Sequence, residues 1–394
     1  MSMRESLTAA LTGAGSDTRV QVPSEAWRPR LEVDSDGGFV VSKPHLASEV
    51  PDQADLLREF NLDPDQWIVT NVRRSQWQRY DGEWLESRRI SIKPAELNRA
   101  LPDEDIDEII KQIEKWKPAK SAKKYTGDGA FVLCVGDTQY GKDANGGTDA
   151  IVRRVLDGID EGVARYRELN RNGRNLGTVV LPQLGDCIEG TVSQGGKVLG
   201  RLDLGVTAQV RIGRRVLLAQ IKAFAPLCER LIVPVVPGNH DEPHRAVLTD
   251  PTDSWQIEIA SAVQDAIALN PEFDHVEFRY PEQDNQTLAI DVCGTMIGFA
   301  HGHQSRDAAK WWQGQATGKT PVGQADILVT GHFHHFKAHQ VGPRLWIQVP
   351  AMDGGSAWFR DKTGLESPTG LVSFVVGEGR DPRADMAVLA GEWR

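Results

Sequence analysis

The stretch AFVLCVGDTQ, residues 130–139, joins an apolar run to a turn that carries potential metal ligands. Residues 130–135 predict a buried strand, and Gly136-Asp137-Thr138-Gln139 follows it directly. Two other apolar runs end in the same way, at Gly185-Asp186-Cys187-Ile188-Glu189 and at Gly331-His332-Phe333-His334. The recurrence of this pattern indicates a site assembled from several strand ends.

Two further segments extend the pattern. Gly238-Asn239-His240-Asp241 follows an apolar run that ends in Pro, and His301-Gly302-His303 follows the apolar run 296–300. The ends of the strands are where α/β folds place their active sites, and carboxylate, amide and imidazole groups bind hard or borderline divalent cations. The arrangement is typical of a two-metal phosphoesterase centre.

The conjunction of these segments is more specific than any one of them. Alone, a Gly-Asp or Gly-Asn-His after a strand is most often an ordinary turn. Similarly, His332 and His334 lie two residues apart on an extended segment, which is also the spacing of a surface pair. However, nine of the ten histidines lie between His240 and His339, after the Asp-bearing turns. The set as a whole therefore predicts a metal site.

The order of predicted elements indicates an α/β fold. Helices are predicted over 148–169, 203–227 and 255–269, between strands over 130–135, 178–184 and 231–236. From residue 276 strands dominate, over 276–280, 287–292, 295–300, 327–330, 345–348 and 371–376. We predict two mixed β-sheets packed face to face with flanking helices, plus a small N-terminal α+β unit.

Four segments are predicted along the chain. Residues 1–26 form a mobile N-terminus, 27–100 a small α+β accessory unit, 101–127 a helix and basic linker, and 128–394 the metal-binding domain. The accessory unit combines a helix over 54–60 with strands over 67–72 and 84–90.

Basic and aromatic residues are interleaved in the accessory unit. These two strands and the segment between them carry Arg73, Arg74, Trp77, Arg79, Arg88 and Arg89. Such a set is found on nucleic-acid-binding surfaces, where guanidinium groups contact phosphate and indoles stack on bases. It is equally typical of the solvated face of a small β-unit, and Asp81, Glu83 and Glu86 dilute the positive charge.

The bulk composition excludes several classes of protein. A net charge of −10 argues against a protein that coats nucleic acid non-specifically. Without a long apolar run or an apolar leader, we expect a cytoplasmic protein. Cys134, Cys187, Cys228 and Cys293 lack CxxC spacing, so we expect free thiols and no zinc cluster.

The ordered motifs resemble those of the calcineurin-like metallophosphoesterase superfamily: D-x-H, G-D-x-x-D/E, G-N-H-D/E, a strand-end His-Gly and G-H-x-H. The resemblance covers residues 128–376 and leaves out the N-terminal part of the chain. Within the superfamily, the domain is similar to phage and actinobacterial phosphoesterases related to the SbcD nuclease subunit, which implies a bacterial or phage-infected host cell.

The resemblance implies two divalent ions, Mn²⁺ first and Mg²⁺, Fe²⁺ or Zn²⁺ otherwise. They would share Asp186 as a bridging ligand, with a hydroxide between them that attacks the phosphoester. The implied ligands are Asp137, Gln139, Asp186 and His334 for the first ion, and Asp186, Asn239, His301 and His332 for the second. Gln139 departs from the family pattern, which has His there. An amide oxygen is a weaker ligand than imidazole, so the first ion should be held less tightly, with Mn²⁺ or Mg²⁺ favoured over Zn²⁺.

The resemblance also implies two catalytic roles. His240 would act at the leaving group without binding metal, and Glu189 would orient it. Separately, loop residues near the ligands are candidates for binding substrate, although a solvated loop is equally compatible with them: Arg201, His244, Arg245 and His303.

Three functions are compatible with the sequence. The first is a phosphodiesterase or nuclease acting on DNA or RNA. The second is a phosphatase or phosphodiesterase of small nucleotides, with the accessory unit as a lid or a homodimer contact. The third is a catalytically weak metal-binding scaffold for a protein partner.

Overall fold

The computed structural model describes residues 30–34, 37–64, 67–94, 103–118, 123–192, 202–244, 250–282, 284–355 and 367–391. The predicted mobile N-terminus, residues 1–26, lies outside them. The chain divides into two compact units, Met1–Leu97 and Asn98–Arg394.

A five-stranded antiparallel sheet and a short helix form the described part of the first unit. Its elements are β1 (Arg30–Asp34), β2 (Gly37–Val41), β3 (His45–Leu46), α1 (Gln53–Glu59), β4 (Trp67–Gln78) and β5 (Trp84–Pro94). Strand β5 pairs with β4 along one edge and with β2 and β3 along the other. Leu56 and Leu57 of α1 pack with Val40, Ile90 and Ile92 in a small core. This is the α+β unit predicted from the sequence.

The second unit begins with α2 (Asp103–Lys115), β6 (Gly129–Cys134), α3 (Gly147–Arg171), β7 (Leu176–Val180), α4 (Val206–Phe224), β8 (Arg230–Pro234), α5 (Trp255–Ile267) and β9 (Val276–Arg279). It continues with β10 (Leu288–Val292), β11 (Thr295–Ala300), α6 (Ala308–Thr317), β12 (Ile327–Thr330), β13 (Lys337–Val341), β14 (Arg344–Gln348), β15 (Leu371–Val376) and β16 (Ala387–Leu389). The strands form two sheets, in the orders β16-β15-β6-β7-β8-β9 and β10-β11-β12-β14-β13.

The two sheets pack face to face, with helices on both outer faces. Because side chains alternate along a strand, Val132 of β6 points into a core shared with Phe299 of β11. Its neighbour Phe131 points the other way, into a core built with α2, α3, α4 and α5. On the outer face of the other sheet, Trp346 packs with Trp312 of α6. The predicted fold of two mixed sheets with flanking helices is therefore confirmed.

Several element boundaries differ from the sequence prediction. The strand predicted over 178–184 ends at Val180, because Pro182 lacks the N–H that a regular ladder needs. Strand β13 was not predicted, since its sequence KAHQV is polar and mostly exposed. Helix α6 was also missed. By contrast, α2 is the helix predicted within 101–127, and Ile106 and Ile110 on its apolar face join the core of the second unit.

Both sheets are parallel where the candidate residues follow them. Strands β6, β7 and β8 run parallel in one sheet, and β11, β12 and β14 run parallel in the other. The loops at their carboxyl ends contact one another, for example through the Met352 N–H, which donates to the Asp137 carbonyl oxygen (3.2 Å). Among the described residues, no helix is long and apolar enough to cross a membrane.

Candidate metal centre

Backbone strain is concentrated in the loops that carry the candidate ligands. Five of the candidate ligands have a positive φ, a conformation that favours glycine: Asp137 (50°), Gln139 (44°), Asp186 (52°), His332 (71°) and His334 (57°). Such conformations are uncommon for residues with a Cβ and persist only where the surrounding structure enforces them. The loops are therefore shaped to aim these side chains and not to minimise local strain.

Asp186, Asn239 and His301 converge on one point. The Nε2 of His301 lies 3.0 Å from Asp186 Oδ2 and 3.2 Å from Asn239 Oδ1. The Nδ1 of the same ring lies 2.7 Å from the carbonyl oxygen of Leu184. That contact assigns the ring proton to Nδ1 and leaves Nε2 to face the two oxygens, which is the usual arrangement of a metal-binding histidine.

His332 completes this group. One ligand atom from each of Asp186, His301 and His332 lies within 4.8 Å of the others. The backbone N–H of His332 donates to Asp137 Oδ2 (2.9 Å), which fixes the loop from which its ring projects. Burial and the neighbouring His301 lower the pKa of His332 to about 4, so its ring is neutral at physiological pH and able to ligate.

A second group forms around Asp137 and His334. The Nε2 of His334 lies 3.2 Å from Asp137 Oδ1, and its Nδ1 lies 3.3 Å from Asp353 Oδ2. Both carboxylates are buried. An imidazole held between an orienting carboxylate and a ligand carboxylate is typical of metal centres. Asp353 follows β14 and was not singled out from the sequence.

Gln139 is already engaged by a cation from its own loop. The ammonium of Lys142 donates to Gln139 Oε1 (2.8 Å), and it also forms an ion pair with Asp353. The amide oxygen that the sequence assigns to the first metal is thus the acceptor for Lys142. Nothing in the sequence pattern predicted this role for Lys142.

The electrostatics of the centre favour bound cations. Burial alone lowers the pKa of a histidine, yet the pKa of His301 rises to about 9 because Asp186 faces it. Likewise, Asp353 and Asp137 outweigh burial and raise the pKa of His334 to about 10. The buried carboxylates therefore create a negative potential that a proton or a metal ion would neutralise.

His240 lies beside the group of Asp186, Asn239, His301 and His332. Its Nδ1 lies 3.1 Å from the carbonyl oxygen of Glu189 and 3.4 Å from Glu189 Oε2, while its Nε2 lies 4.0 Å from Asp186 Oδ2. Glu189 is buried, so its carboxylate is held beside the ring away from solvent. Burial lowers the pKa of His240, but Asp186 and Glu189 outweigh it and raise the value to about 9.

Asp241 holds the loop of Asp186 in place. Its Oδ2 accepts the backbone N–H groups of Asp186 (2.6 Å) and Gly238 (3.1 Å), and its Oδ1 accepts the N–H of Cys187 (3.0 Å). In turn, Asp186 Oδ1 accepts the N–H of His240 (2.7 Å). Asp241, the fourth residue of the Gly238-Asn239-His240-Asp241 motif, thus positions the ligand loop. Asp241 belongs to the motif, but the sequence predicts no role for it.

The four candidate substrate-binding residues differ in where they lie relative to the candidate metal ligands. His303 is half-buried, and its ring centroid lies 5.5 Å from that of His301 and 6.2 Å from that of His332. His244 is exposed. Arg201 and Arg245 lie outside the described residues. Of the two that the structure describes, His303 lies against the candidate metal ligands.

The two ligand groups differ in how well they suit a cation. Asp186, Asn239, His301 and His332 offer two oxygens and two imidazoles that face one another, which suits Mn²⁺ or a similar divalent ion. In the group of Asp137 and His334, the oxygen of Gln139 is bonded to Lys142, so the donors do not fit a divalent ion as they stand. Among the described residues, Asp186, His301 and His332 bring their ligand atoms close enough together to hold a cation.

Comparison with known proteins gives structural neighbours of low similarity. No family model matches the chain, and no curated protein matches it. Vacuolar protein sorting 29 from Cryptosporidium parvum is 17% identical over 66% of this chain and 96% of its own, with a TM-score of 0.30. An archaeal phosphodiesterase is 14% identical over 66% and 99%, with a TM-score of 0.31. A predicted phosphoesterase from Streptococcus pneumoniae is 12% identical over 64% and 84%, with a TM-score of 0.27.

The fold of this chain is defined by its own strand order. The arrangement at the strand ends is chemically informative by itself. It combines a buried carboxylate, an amide oxygen and two imidazoles with an adjacent histidine whose free nitrogen faces the same carboxylate. Such a centre is suited to hydrolysis of a substrate that carries negative charge.

Proposed function

We propose that this protein is a metal-dependent phosphoesterase that hydrolyses phosphodiester bonds in nucleic acid. The observation that carries the proposal is the convergence of Asp186, Asn239, His301 and His332 beside His240. Metal ligands next to a histidine that binds no metal form the set needed for phosphoester cleavage. The ion we propose is Mn²⁺, since the donors mix hard oxygens with imidazole.

The residues of this chain divide the chemistry between them. Asp186, Asn239, His301 and His332 would hold the ion, which supplies a Lewis acid and lowers the pKa of a bound water. Glu189 holds His240 through Nδ1, which leaves Nε2 directed toward the centre. We assign to His240 the transfer of a proton to the leaving oxygen of the substrate.

The choice of nucleic acid rests on two features. One is the sequence resemblance to SbcD-like phosphoesterases. The other is a group of exposed aromatic side chains in the first unit, at the end of the β4–β5 hairpin: Trp77, Tyr80 and Trp84. Exposed aromatic rings stack on the bases of single strands without sequence preference.

The basic part of the hairpin offers less support. Arg79 pairs with Asp81 and Glu83, and Arg88 pairs with the buried Glu86. These guanidinium groups are therefore partly neutralised by acids of their own unit. We expect base stacking to contribute more than phosphate contacts, so that binding of a single strand would depend only weakly on salt.

A paired assay tests the proposal. Hydrolysis of bis(p-nitrophenyl) phosphate with Mn²⁺, absent from the His240→Ala variant purified in parallel, would establish the activity and exclude a contaminating hydrolase. Faster cleavage of a single-stranded oligonucleotide than of a cyclic dinucleotide would support the nucleic-acid assignment. The reverse order would favour a small-nucleotide phosphodiesterase, and no hydrolysis at saturating Mn²⁺ would favour the scaffold.

A further inference from the structure

Lys142 lies where the sequence predicts a metal ion. Its ammonium donates to Gln139 Oε1 (2.8 Å) and forms an ion pair with Asp353, whose Oδ2 also lies 3.3 Å from His334 Nδ1. Lys142 thus binds one predicted ligand of the first ion directly. It also contacts the Asp353 carboxylate, which lies beside a second predicted ligand, His334.

The position of Lys142 is built into the fold. Its backbone N–H donates to the Gln139 carbonyl oxygen (3.1 Å), and its backbone forms an isolated antiparallel β-bridge with Leu202. The preceding turn is tied down as well, since the N–H of Gln139 donates to the Asp186 carbonyl oxygen (2.9 Å). The side chain is 16% exposed and Asp353 only 1%, so the pair is largely shielded from solvent. Lys142 therefore projects from a fixed backbone into the centre.

We propose that Lys142 is a built-in cation that competes with the first metal ion, so that the protein binds one divalent ion tightly and a second only weakly. This inference rests on the proposed metal centre. A divalent ion at Asp137 and His334 needs the Gln139 oxygen that Lys142 holds, and it would be repelled by the ammonium. In the other group, Asp186 faces the rings of His301 and His240 and not an ammonium.

Counting bound Mn²⁺ tests the inference without any measurement of activity. We expect calorimetric titration of the wild-type protein to show one tightly bound Mn²⁺ and a second with much lower affinity. Lys142→Met keeps the length of the side chain and removes its charge. In this variant the affinity for the second, weakly bound Mn²⁺ should rise roughly 10- to 100-fold. The first affinity should stay within about twofold, since that site does not involve Lys142.

A matched control separates local from global charge. Lys222→Met removes one positive charge from an exposed position near the end of α4, and it should leave both affinities unchanged. Electron paramagnetic resonance gives an independent readout. At a Mn²⁺ concentration that saturates only the tight site, the wild-type spectrum should be that of an isolated ion, whereas Lys142→Met should give the signal of a coupled pair.

The outcomes distinguish the two proposals. Two Mn²⁺ ions bound with similar affinity by the wild-type protein would overturn the role of Lys142 and leave the metal centre standing. That result needs no variant, so it decides the matter even if Lys142→Met fails to fold. Failure to bind any Mn²⁺ would overturn the metal centre and this inference with it. A second affinity that is equally weak in wild type and in folded Lys142→Met would also refute competition by the ammonium.

Discussion

Replacing Gly238 by Ala tests whether metal binding depends on the exact approach of two loops. A Cβ at residue 238 would lie 2.1 Å from Asp186 Oδ1 and 2.2 Å from the Asp186 backbone nitrogen, whereas ordinary contact begins at 3.4 Å. The loops must therefore separate by more than about 1 Å. The Asp186 loop cannot move by itself, because Asp241 accepts the backbone N–H groups of Asp186 and Cys187. In addition, the Asp186 carboxylate accepts the N–H of His240.

The expected cost follows from this displacement. Moving a reacting group by about 1 Å lowers a rate on the order of 10²-fold. Disturbing the groups that orient a metal ligand lowers metal affinity by roughly 10- to 100-fold. We therefore expect Gly238→Ala to lose both Mn²⁺ affinity, measured by calorimetry, and hydrolysis of bis(p-nitrophenyl) phosphate.

Gly314→Ala is the matched control. A Cβ at residue 314 would meet no atom within 4 Å, and the residue lies in helix α6. Ala is the better helix former, so this variant should be neutral or more stable by up to about 1 kcal/mol in urea unfolding. If folded Gly238→Ala bound Mn²⁺ and turned over substrate as Gly314→Ala does, the idea that the backbone at residue 238 sets the position of Asp186 would be wrong.

Three other substitutions probe separate roles. Asp186→Asn keeps the volume of the side chain but removes its charge, so bound Mn²⁺ should fall below one equivalent and turnover should vanish; metal analysis showing full occupancy would refute the assignment. His240→Ala should retain metal and lose turnover by roughly 10²- to 10⁴-fold, whereas loss of metal would make His240 a ligand. Gln139→His should raise the second Mn²⁺ affinity much more in the Lys142→Met background than alone; equal gains in both backgrounds would show that residues 139 and 142 do not interact.

The sequence predicts the candidate centre well where a ligand directly follows a strand. Asp137, Asp186 and His332 each come shortly after an apolar run, and parallel strands bring such ends to one edge of the sheet. The alternation of apolar runs and amphipathic segments also predicts the two-sheet architecture, since the parallel strands are buried on both faces. These features depend on local pattern, which a single sequence carries.

Residues that act across long sequence separations escape this reasoning. Asp353 lies five residues beyond the end of β14, and its partner Lys142 is 211 positions away in the chain. Asp241 was visible in its motif, but its function depends on four backbone N–H groups, three of them from a loop more than fifty residues earlier. No periodicity links such partners, so their pairing emerges only when the loops are placed together.

Gln139 and Lys142 account for each other. Seen alone, Gln in place of His weakens a metal site without an evident gain. Beside an ammonium, however, an amide oxygen is a stable acceptor, whereas an imidazole would have to present an unprotonated nitrogen to the same charge. Asp353 completes the compensation, because a buried lysine needs a carboxylate partner and this one already orients His334. The departure at residue 139 is therefore best understood as one half of a pair that places a fixed positive charge in the centre.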